Sequence, residues 1–142
     1  MPTRKSQAQW EGSLKTGRGR MTLGSAAFEG PFSFGTRFEE TPGTNPEELI
    51  AAAHAGCFSM ALAAMLEEAG YVPESIRTTA EVHLDKADDG FSISRIMLNT
   101  MASVPGIEEG TFQSVANKAK NECPVSKALA GVAIDMEAGL EG

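Results

Sequence analysis

The apolar and polar positions of this chain change their period several times, which divides the sequence into successive short elements. Near the start, strand-like segments at residues 7–14, 19–24 and 32–38 are separated by turns that contain glycine. Short segments of this kind predict an antiparallel meander of three strands.

The next element is the long apolar segment at residues 49–66, which is typical of a helix. Asn45 can cap its start, and Pro46 suits the first helical position. Glu47 and Glu48 then complement the positive end of the helix. Several independent signals therefore place a helix start at Pro46.

This helix should end near residue 69, because Gly70 can adopt the left-handed conformation that terminates helices. It is apolar on nearly every side, which predicts that protein surrounds it. The segment reaches the lower limit of membrane-spanning length, but it contains His54 and has paired glutamates at each end. We therefore expect a central buried helix and no membrane partner. One chain can hardly bury it alone, so we also expect a partner subunit.

Beyond the helix the pattern returns to a period of two. Two strand-like segments, residues 76–84 and 91–104, flank Asp88-Asp89-Gly90, a sequence typical of hairpin turns. A helix at 112–119, a short helix at 124–130 and a strand at 132–137 are predicted to follow. The order β-β-β-α-β-β-α-α-β indicates an α+β fold. No linker divides the chain, so a single domain over residues 1–142 is expected.

Charge and composition limit the possible partners and compartment. The net charge is −7, from 12 basic and 19 acidic residues, which argues against nucleic acid as the main partner. The N-terminal residues are basic, but no apolar stretch follows them as in a secretory signal. We therefore expect a cytoplasmic protein, in which a disulfide would be transient and chemical.

The chain has two cysteines, and the first lies in the apolar helix. A cysteine is mostly protonated at neutral pH, and burial raises its pKa further. Cys57 lies eleven residues after Pro46, beyond the reach of its own helix dipole. It therefore needs a nearby cation in order to react. The candidates are His54, Arg37 and Arg18, of which His54 is expected to be a packed helix residue.

The second cysteine precedes Pro124, where a helix must break. Cys123 is predicted to cap the helix that starts at Pro124, where unpaired amide groups stabilise a thiolate. The commoner fate of free cysteines is to act as small buried hydrophobes. Two cysteines and two histidines could in principle bind zinc. They lack a short paired ligand spacing such as C-x-x-C, which argues against a zinc site.

Three sequence blocks resemble the OsmC family of hydroperoxide reductases, which is related to the Ohr organic hydroperoxide resistance proteins. The blocks are FGTRF at 34–38, GTNPEELIAAAHAGCFSM at 43–60 and ECPVS at 122–126. WEG near the start and LDKADDGF in the hairpin extend the resemblance to nearly the whole chain. The second cysteine follows the first by 66 residues (123 − 57), as expected for this family.

The resemblance implies a fold and an activity. The fold would be an intertwined α+β homodimer, with antiparallel sheets around a long central buried helix and active sites at the interface. The activity would be reduction of organic hydroperoxides, and less well of hydrogen peroxide, to alcohols without a cofactor or metal. A lipoyl-type or small dithiol would then reopen the disulfide.

The resemblance also implies roles for four residues. Cys57 matches the peroxidatic cysteine and Cys123 the resolving one. Arg37 matches the arginine that holds the thiolate, and Glu47 the acid that orients this arginine. Arg18 is a rival, since Ohr-type relatives take their arginine from an early glycine-rich segment. Arg37 is favoured because it lies in the FGTRF block.

Spacing adds a hypothesis about the subunits. Glu47 and Cys57 are ten residues apart on one helix, which corresponds to about 15 Å of rise. An arginine that bridged both within one chain would be badly stretched, so Glu47 is expected to serve the Cys57 of the other subunit. Two alternatives remain open at this point: a non-enzymatic stress or small-molecule binding protein with structural thiols, and a metal-binding structural protein.

Overall fold

The computed structural model describes residues 1–141, which form six strands and four helices. The strands are β1 (Ser6–Glu11), β2 (Arg18–Leu23), β3 (Glu29–Phe32), β4 (Ser75–Ala87), β5 (Gly90–Ser103) and β6 (Ala133–Leu140). The helices are α1 (Phe34–Phe38), α2 (Pro46–Glu68), α3 (Glu109–Glu122) and α4 (Pro124–Ala128). The predicted α+β class is confirmed. The chain divides into two compact units, an N-terminal unit, Met1–Leu49, and a C-terminal unit from Ile50 onward. The single domain stays a prediction.

The N-terminal unit contains the predicted antiparallel meander, in the order β1-β2-β3. The prediction of a strand at residues 32–38 was wrong, since the strand ends at Phe32 and residues 34–38 form α1. Ser33 caps this helix: its hydroxyl accepts from the Thr36 amide, and the Thr36 hydroxyl accepts from the Ser33 amide. The even spacing of the phenylalanines in this segment resembles the pattern of a β-strand. The reciprocal capping hydrogen bonds between Ser33 and Thr36 favour a helix instead.

Helix α2 begins and ends as its capping signals predicted. The Asn45 side chain accepts a hydrogen bond from the Glu48 amide at 2.8 Å and donates one to the Thr36 carbonyl at 3.1 Å. At the other end Gly70 has a φ of 95°, in the left-handed region that glycine tolerates best. Local chemistry therefore defines both ends of this helix.

The C-terminal unit contains a second sheet, in the order β4-β5-β6. Strands β4 and β5 form the predicted hairpin, with Asp88 and Asp89 between the paired residues Ala87 and Gly90. Strand β6 runs parallel to β5, so the expectation of purely antiparallel sheets was wrong for this pair. Helices α3 and α4 connect β5 to β6, and such a helical crossover brings the chain back to the same edge in a parallel direction.

The hydrophobic core of the C-terminal unit lies between α2, the sheet and α3. Its fully buried side chains include Phe58, Leu62 and Leu66 from α2, Ile96 and Leu98 from β5, and Phe112 and Ala116 from α3. Burial of Phe58, Leu62 and Leu66 follows from their spacing of four residues, which places them on one face of the helix. By length and composition alone α2 could also span a membrane, but these three residues give it a core face.

The opposite face of α2 is apolar and exposed within this chain. It carries Ala53, Gly56, Met60 and Ala64, and the Met60 side chain is 76% exposed. The expectation of a helix surrounded by protein is therefore met on one face only. An apolar stripe of this kind needs a covering that one chain does not supply.

Candidate active site

An ion pair between Arg37 and Glu47 lies in the N-terminal unit. Arg37 is in the last turn of α1, and Glu47 is in the first turn of α2. The Arg37 Nε donates to Glu47 Oε1 at 3.0 Å, and Nη2 donates to Oε2 at 2.8 Å. A bidentate contact fixes the plane of a guanidinium as well as its position. The predicted partnership of these two residues is thus present as a direct contact.

The rival arginine has a different environment. The Arg18 side chain is 85% exposed, and its Nε lies 3.9 Å from a Glu11 carboxylate oxygen. Exposed pairs at such distances contribute little free energy and do not fix a side chain. Arg37, by contrast, is held by Glu47, whose side chain is only 11% exposed. The geometry therefore favours Arg37 over Arg18 as the arginine with a defined orientation.

The two cysteine side chains meet in the C-terminal unit. Cys123 Sγ lies 3.0 Å from Cys57 Sγ, and both residues are free thiols. Cys123 ends α3, where its amide donates to the Ala119 carbonyl, and it directly precedes Pro124 at the start of α4. A disulfide needs a separation of about 2.05 Å, so the sulfurs would have to approach by about 1 Å.

The environments of the two thiols differ in the predicted direction, but the Cys123 side chain, although it occupies the N-cap position of α4, makes none of the capping hydrogen bonds that the sequence predicted. Burial raises the pKa of Cys57, and its hydrogen bond to Cys123 raises it further, against a smaller opposing contribution from the Val125 amide. Burial also raises the pKa of Cys123, but the contact with Cys57 and hydrogen bonds from Ser126 outweigh it and lower this pKa overall. Within this unit a thiolate is therefore favoured on Cys123 over Cys57.

His54 is packed in the core, as expected, but it also makes a specific polar contact. Its Nε2 lies 2.8 Å from the Ser126 hydroxyl, and the residue is fully buried. Burial lowers the pKa of His54, which favours the neutral form of the imidazole. Ser126 was not among the site residues predicted from the sequence. Its place in the ECPVS block, three residues after Cys123, was the available signal.

Apolar side chains surround one side of Arg37 in the N-terminal unit. They form a pocket of about 290 Å³, lined by Trp10, Leu14, Phe32, Ser33, Phe34, Arg37, Phe38 and Pro46. The Arg37 guanidinium also lies over the Phe38 ring, at 5.5 Å from its centroid. An alkyl or aryl group would fit such a lining while a polar end of the same molecule met the arginine.

The four residues considered as zinc ligands do not form one group, although the two cysteines meet. His54 contacts Ser126, whereas His83 lies half-buried on β4. Within residues 1–141, no group of three or more histidine, cysteine, aspartate or glutamate side chains is arranged to hold a metal ion.

Comparison with known proteins agrees with this architecture. The family model described as OsmC-like protein matches residues 38–137. The chain is 54% identical to peroxiredoxin OsmC of Escherichia coli over 127 residues, which covers 89% of each protein. It is 32% identical over 90 residues to the organic hydroperoxide resistance protein of Xanthomonas axonopodis pv. citri, covering 63% of this chain and 61% of that protein.

Solved structures share the fold. The structure of OhrB from Bacillus subtilis matches 96% of this chain and 98% of its own, with a TM-score of 0.70 and 24% identity. An OsmC structure from Legionella pneumophila matches 97% of each chain with a TM-score of 0.68. The family model and the Escherichia coli relative each span most of the sequence, so this chain belongs to the OsmC family.

Proposed function

We propose that this protein is a cysteine-based peroxidase that reduces organic hydroperoxides, and less well hydrogen peroxide, to alcohols and water. The observation that carries the proposal is the 3.0 Å contact between the Sγ atoms of its two cysteines. Relatives named peroxiredoxin and organic hydroperoxide resistance protein support the same activity. The expected cytoplasmic location is consistent with this thiol chemistry.

The first step is oxidation of Cys57. Its thiolate attacks one peroxide oxygen, the O–O bond breaks, and the departing alkoxide takes up a proton to leave as the alcohol. Cys57 becomes a sulfenic acid. In the second step Cys123 condenses with this sulfenic acid, so that an S–S bond forms, the S–O bond breaks and water leaves. An external dithiol, of lipoyl or small-molecule type, then reduces the disulfide by thiol–disulfide exchange.

Arg37 is the cation proposed for the first step. Its guanidinium favours the Cys57 thiolate and donates hydrogen bonds to the peroxide oxygens through its planar fork. Charge that develops on the leaving oxygen is stabilised by a donor already in position. Glu47 holds this donor by its two contacts of 3.0 and 2.8 Å. The apolar pocket beside Arg37 supports a preference for organic hydroperoxides over hydrogen peroxide.

The active protein is proposed to be a homodimer with its sites at the interface. The exposed apolar face of α2 is the surface that a second subunit would cover. Ten residues separate Glu47 from Cys57 along α2, about 15 Å of rise. The Arg37–Glu47 pair of one subunit is therefore proposed to serve Cys57 of the other, with the two long helices antiparallel.

Thiol counting tests the reaction. Titration of the reduced protein with cumene hydroperoxide should remove both thiols per equivalent. Cys57→Ser should be unreactive, while Cys123→Ser should lose its one thiol. Thiols that stay unchanged would overturn the peroxidase and favour a small-molecule binding protein with structural cysteines. Zinc bound to the purified protein would favour a metal-binding structural protein.

Mixed dimers test the shared sites. One subunit carries Cys57→Ser and the other Glu47→Ala. If sites are shared between subunits, one of the two sites in each mixed dimer is intact and about half of the activity remains. If each site belongs to one subunit, every site carries a defect, and activity close to that of the two parent variants would contradict the arrangement.

A further inference from the structure

The side chain of Asn45 joins the two helices that carry the Arg37–Glu47 ion pair. Its Nδ2 donates to the Thr36 carbonyl in α1 at 3.1 Å, and its Oδ1 accepts from the Glu48 amide in α2 at 2.8 Å. One partner can only accept and the other can only donate, so the network identifies the oxygen and the nitrogen of this side chain. The second contact caps α2. The first is not needed for capping, and it ties the start of α2 to α1.

Each of the two hydrogen bonds holds a peptide group that belongs to one member of the ion pair. The Thr36 carbonyl lies in the same planar peptide group as the Arg37 amide. That amide donates to the Ser33 carbonyl at 3.2 Å, so this peptide group is held at both its oxygen and its nitrogen. The Glu48 amide lies in the same peptide group as the Glu47 carbonyl. One asparagine therefore fixes the backbones of both ion-pair residues relative to each other.

The segment that precedes Asn45 is itself packed tightly. Gly43 has a φ of 152°, and a Cβ at this position would lie 2.6 Å from Thr36 Cγ2 and 2.9 Å from the Pro31 carbonyl oxygen. Glycine permits this close approach of the backbone. The next residue, Thr44, is 3% exposed, and its amide donates to the Pro31 carbonyl at 2.9 Å. The backbone on which Asn45 sits is thus defined by contacts of its own.

We propose that Asn45 is a positioning residue for Arg37, which sets the separation of α1 and α2 at which the guanidinium meets both carboxylate oxygens of Glu47. This inference rests on the peroxidase function proposed above, in which Arg37 presents its remaining donors to the peroxide. A bidentate contact requires both N–H groups and both oxygens to lie in register. A displacement of about 1 Å in such a positioned group is enough to slow a reaction.

Three substitutions of Asn45 separate the link to α1 from the cap of α2. Asn45→Asp and Asn45→Ser keep an oxygen for the Glu48 amide, since these residues cap helices about as well as asparagine. Neither can donate to the Thr36 carbonyl, because an ionised aspartate only accepts and serine is too short. Asn45→Ala loses both contacts. Agreement between the aspartate and serine variants excludes an effect of the added charge.

The neighbouring residue offers a matched control. The Thr44 hydroxyl donates to Glu48 Oε2 at 2.7 Å, a contact that joins the segment to α2 and does not reach α1. Thr44→Val removes this hydrogen bond with little change in side-chain shape and leaves the backbone amide in place. It should therefore behave as the unmodified protein does in each measurement below.

The first measurement follows Arg37 directly and involves no peroxide. The Nε–H resonance of Arg37 is identified in a ¹H–¹⁵N spectrum by its loss in Arg37→Lys, and its exchange with water is measured. This N–H donates to Glu47 Oε1 at 3.0 Å, which protects it. Exchange should be roughly tenfold faster in Asn45→Asp and Asn45→Ser, as expected for loss of a hydrogen bond that supports the pair. Exchange equal to that of the unmodified protein would overturn the proposal.

The second measurement connects this position to the reaction. The kcat/KM for cumene hydroperoxide should fall roughly tenfold in all three Asn45 variants. Urea unfolding should show reduced stability in Asn45→Ala alone, because the other two retain the cap. Activity lost only in Asn45→Ala would assign Asn45 to capping and contradict the positioning role. No consumption of peroxide by the unmodified protein would reject the peroxidase function, while the exchange of Arg37 would still decide the positioning.

A double-substitution cycle tests whether Asn45 acts through Arg37. In an Arg37→Lys background the bidentate contact is already lost, so Asn45→Ser should lower kcat/KM by no more than about a further twofold. A further fall as large as in the unmodified background would show that the two residues act independently, and the proposal would then be wrong.

Discussion

Arg37 donates from Nε and Nη2 to the two carboxylate oxygens of Glu47, at 3.0 and 2.8 Å. The guanidinium has five N–H donors, so three remain for another ligand after these two contacts. Because Glu47 is buried and fixed in the first turn of α2, the plane in which Arg37 can present those donors is also fixed. The pair is thus a preorganised donor group beside an apolar pocket.

Substitutions at this pair should slow the reaction with hydroperoxide. Arg37→Lys cannot reproduce the planar fork, so we expect kcat/KM to fall roughly a hundredfold. Glu47→Gln keeps the shape but weakens the contact, and a fall of about tenfold is expected. Steady-state kinetics with cumene hydroperoxide and a dithiol measure both effects.

Matched controls exist for each of these substitutions. Arg18→Lys alters the exposed rival arginine, and Glu48→Gln alters the neighbouring exposed carboxylate. Both controls should retain the activity of the unmodified protein. A larger loss in Arg18→Lys than in Arg37→Lys would transfer the role to Arg18.

Removal of the resolving thiol should expose Cys57 to further oxidation. In Cys123→Ser the sulfenic acid has no sulfur 3.0 Å away with which to condense. A second equivalent of hydroperoxide should therefore convert it to the sulfinic acid. Mass spectrometry of the intact protein should show two added oxygens in the variant and the loss of two hydrogens in the unmodified protein. The same oxygen addition in both would mean that Cys123 does not resolve.

Burial of His54 should make folding sensitive to acid. Its pKa is lowered by burial, so below the unfolded value of about 6.5 the unfolded chain binds more protons than the folded one. The free energy of unfolding should therefore fall as pH drops through that value toward the lower folded pKa. Urea titrations at several pH values should show a smaller fall in His54→Gln. Ser126→Ala keeps the buried imidazole and should keep the dependence.

The exposed face of α2 should control assembly. Met60 is 76% exposed in the chain, and a glutamate there would place a charge within the proposed subunit interface. Met60→Glu should yield monomers in sedimentation velocity and lose most activity. Val72→Glu is the control, because Val72 is 70% exposed but lies beyond the end of α2. Dimers that persist in Met60→Glu would place the interface elsewhere.

Much of the fold follows from local signals that the sequence displays. The start of α2 rests on Asn45 and Pro46, its end on Gly70, and the β4–β5 hairpin on Asp88-Asp89-Gly90. Each signal acts over a few residues, so its effect on the local backbone does not depend on residues far away in the chain. The position of Cys123 at a break between helices belongs to this class, since Pro124 enforces it.

The features that required the tertiary structure depend on residues distant in the chain. The contact between Cys57 and Cys123 spans 66 residues, and the one between His54 and Ser126 spans 72. The parallel pairing of β6 with β5 likewise depends on where α3 and α4 return the chain. The sequence therefore predicted the candidate residues and the helices that hold the two cysteines, but it placed Arg37 on a strand where the structure has α1. The distances between these side chains follow from the tertiary structure, because contact depends on the packing of whole elements against one core.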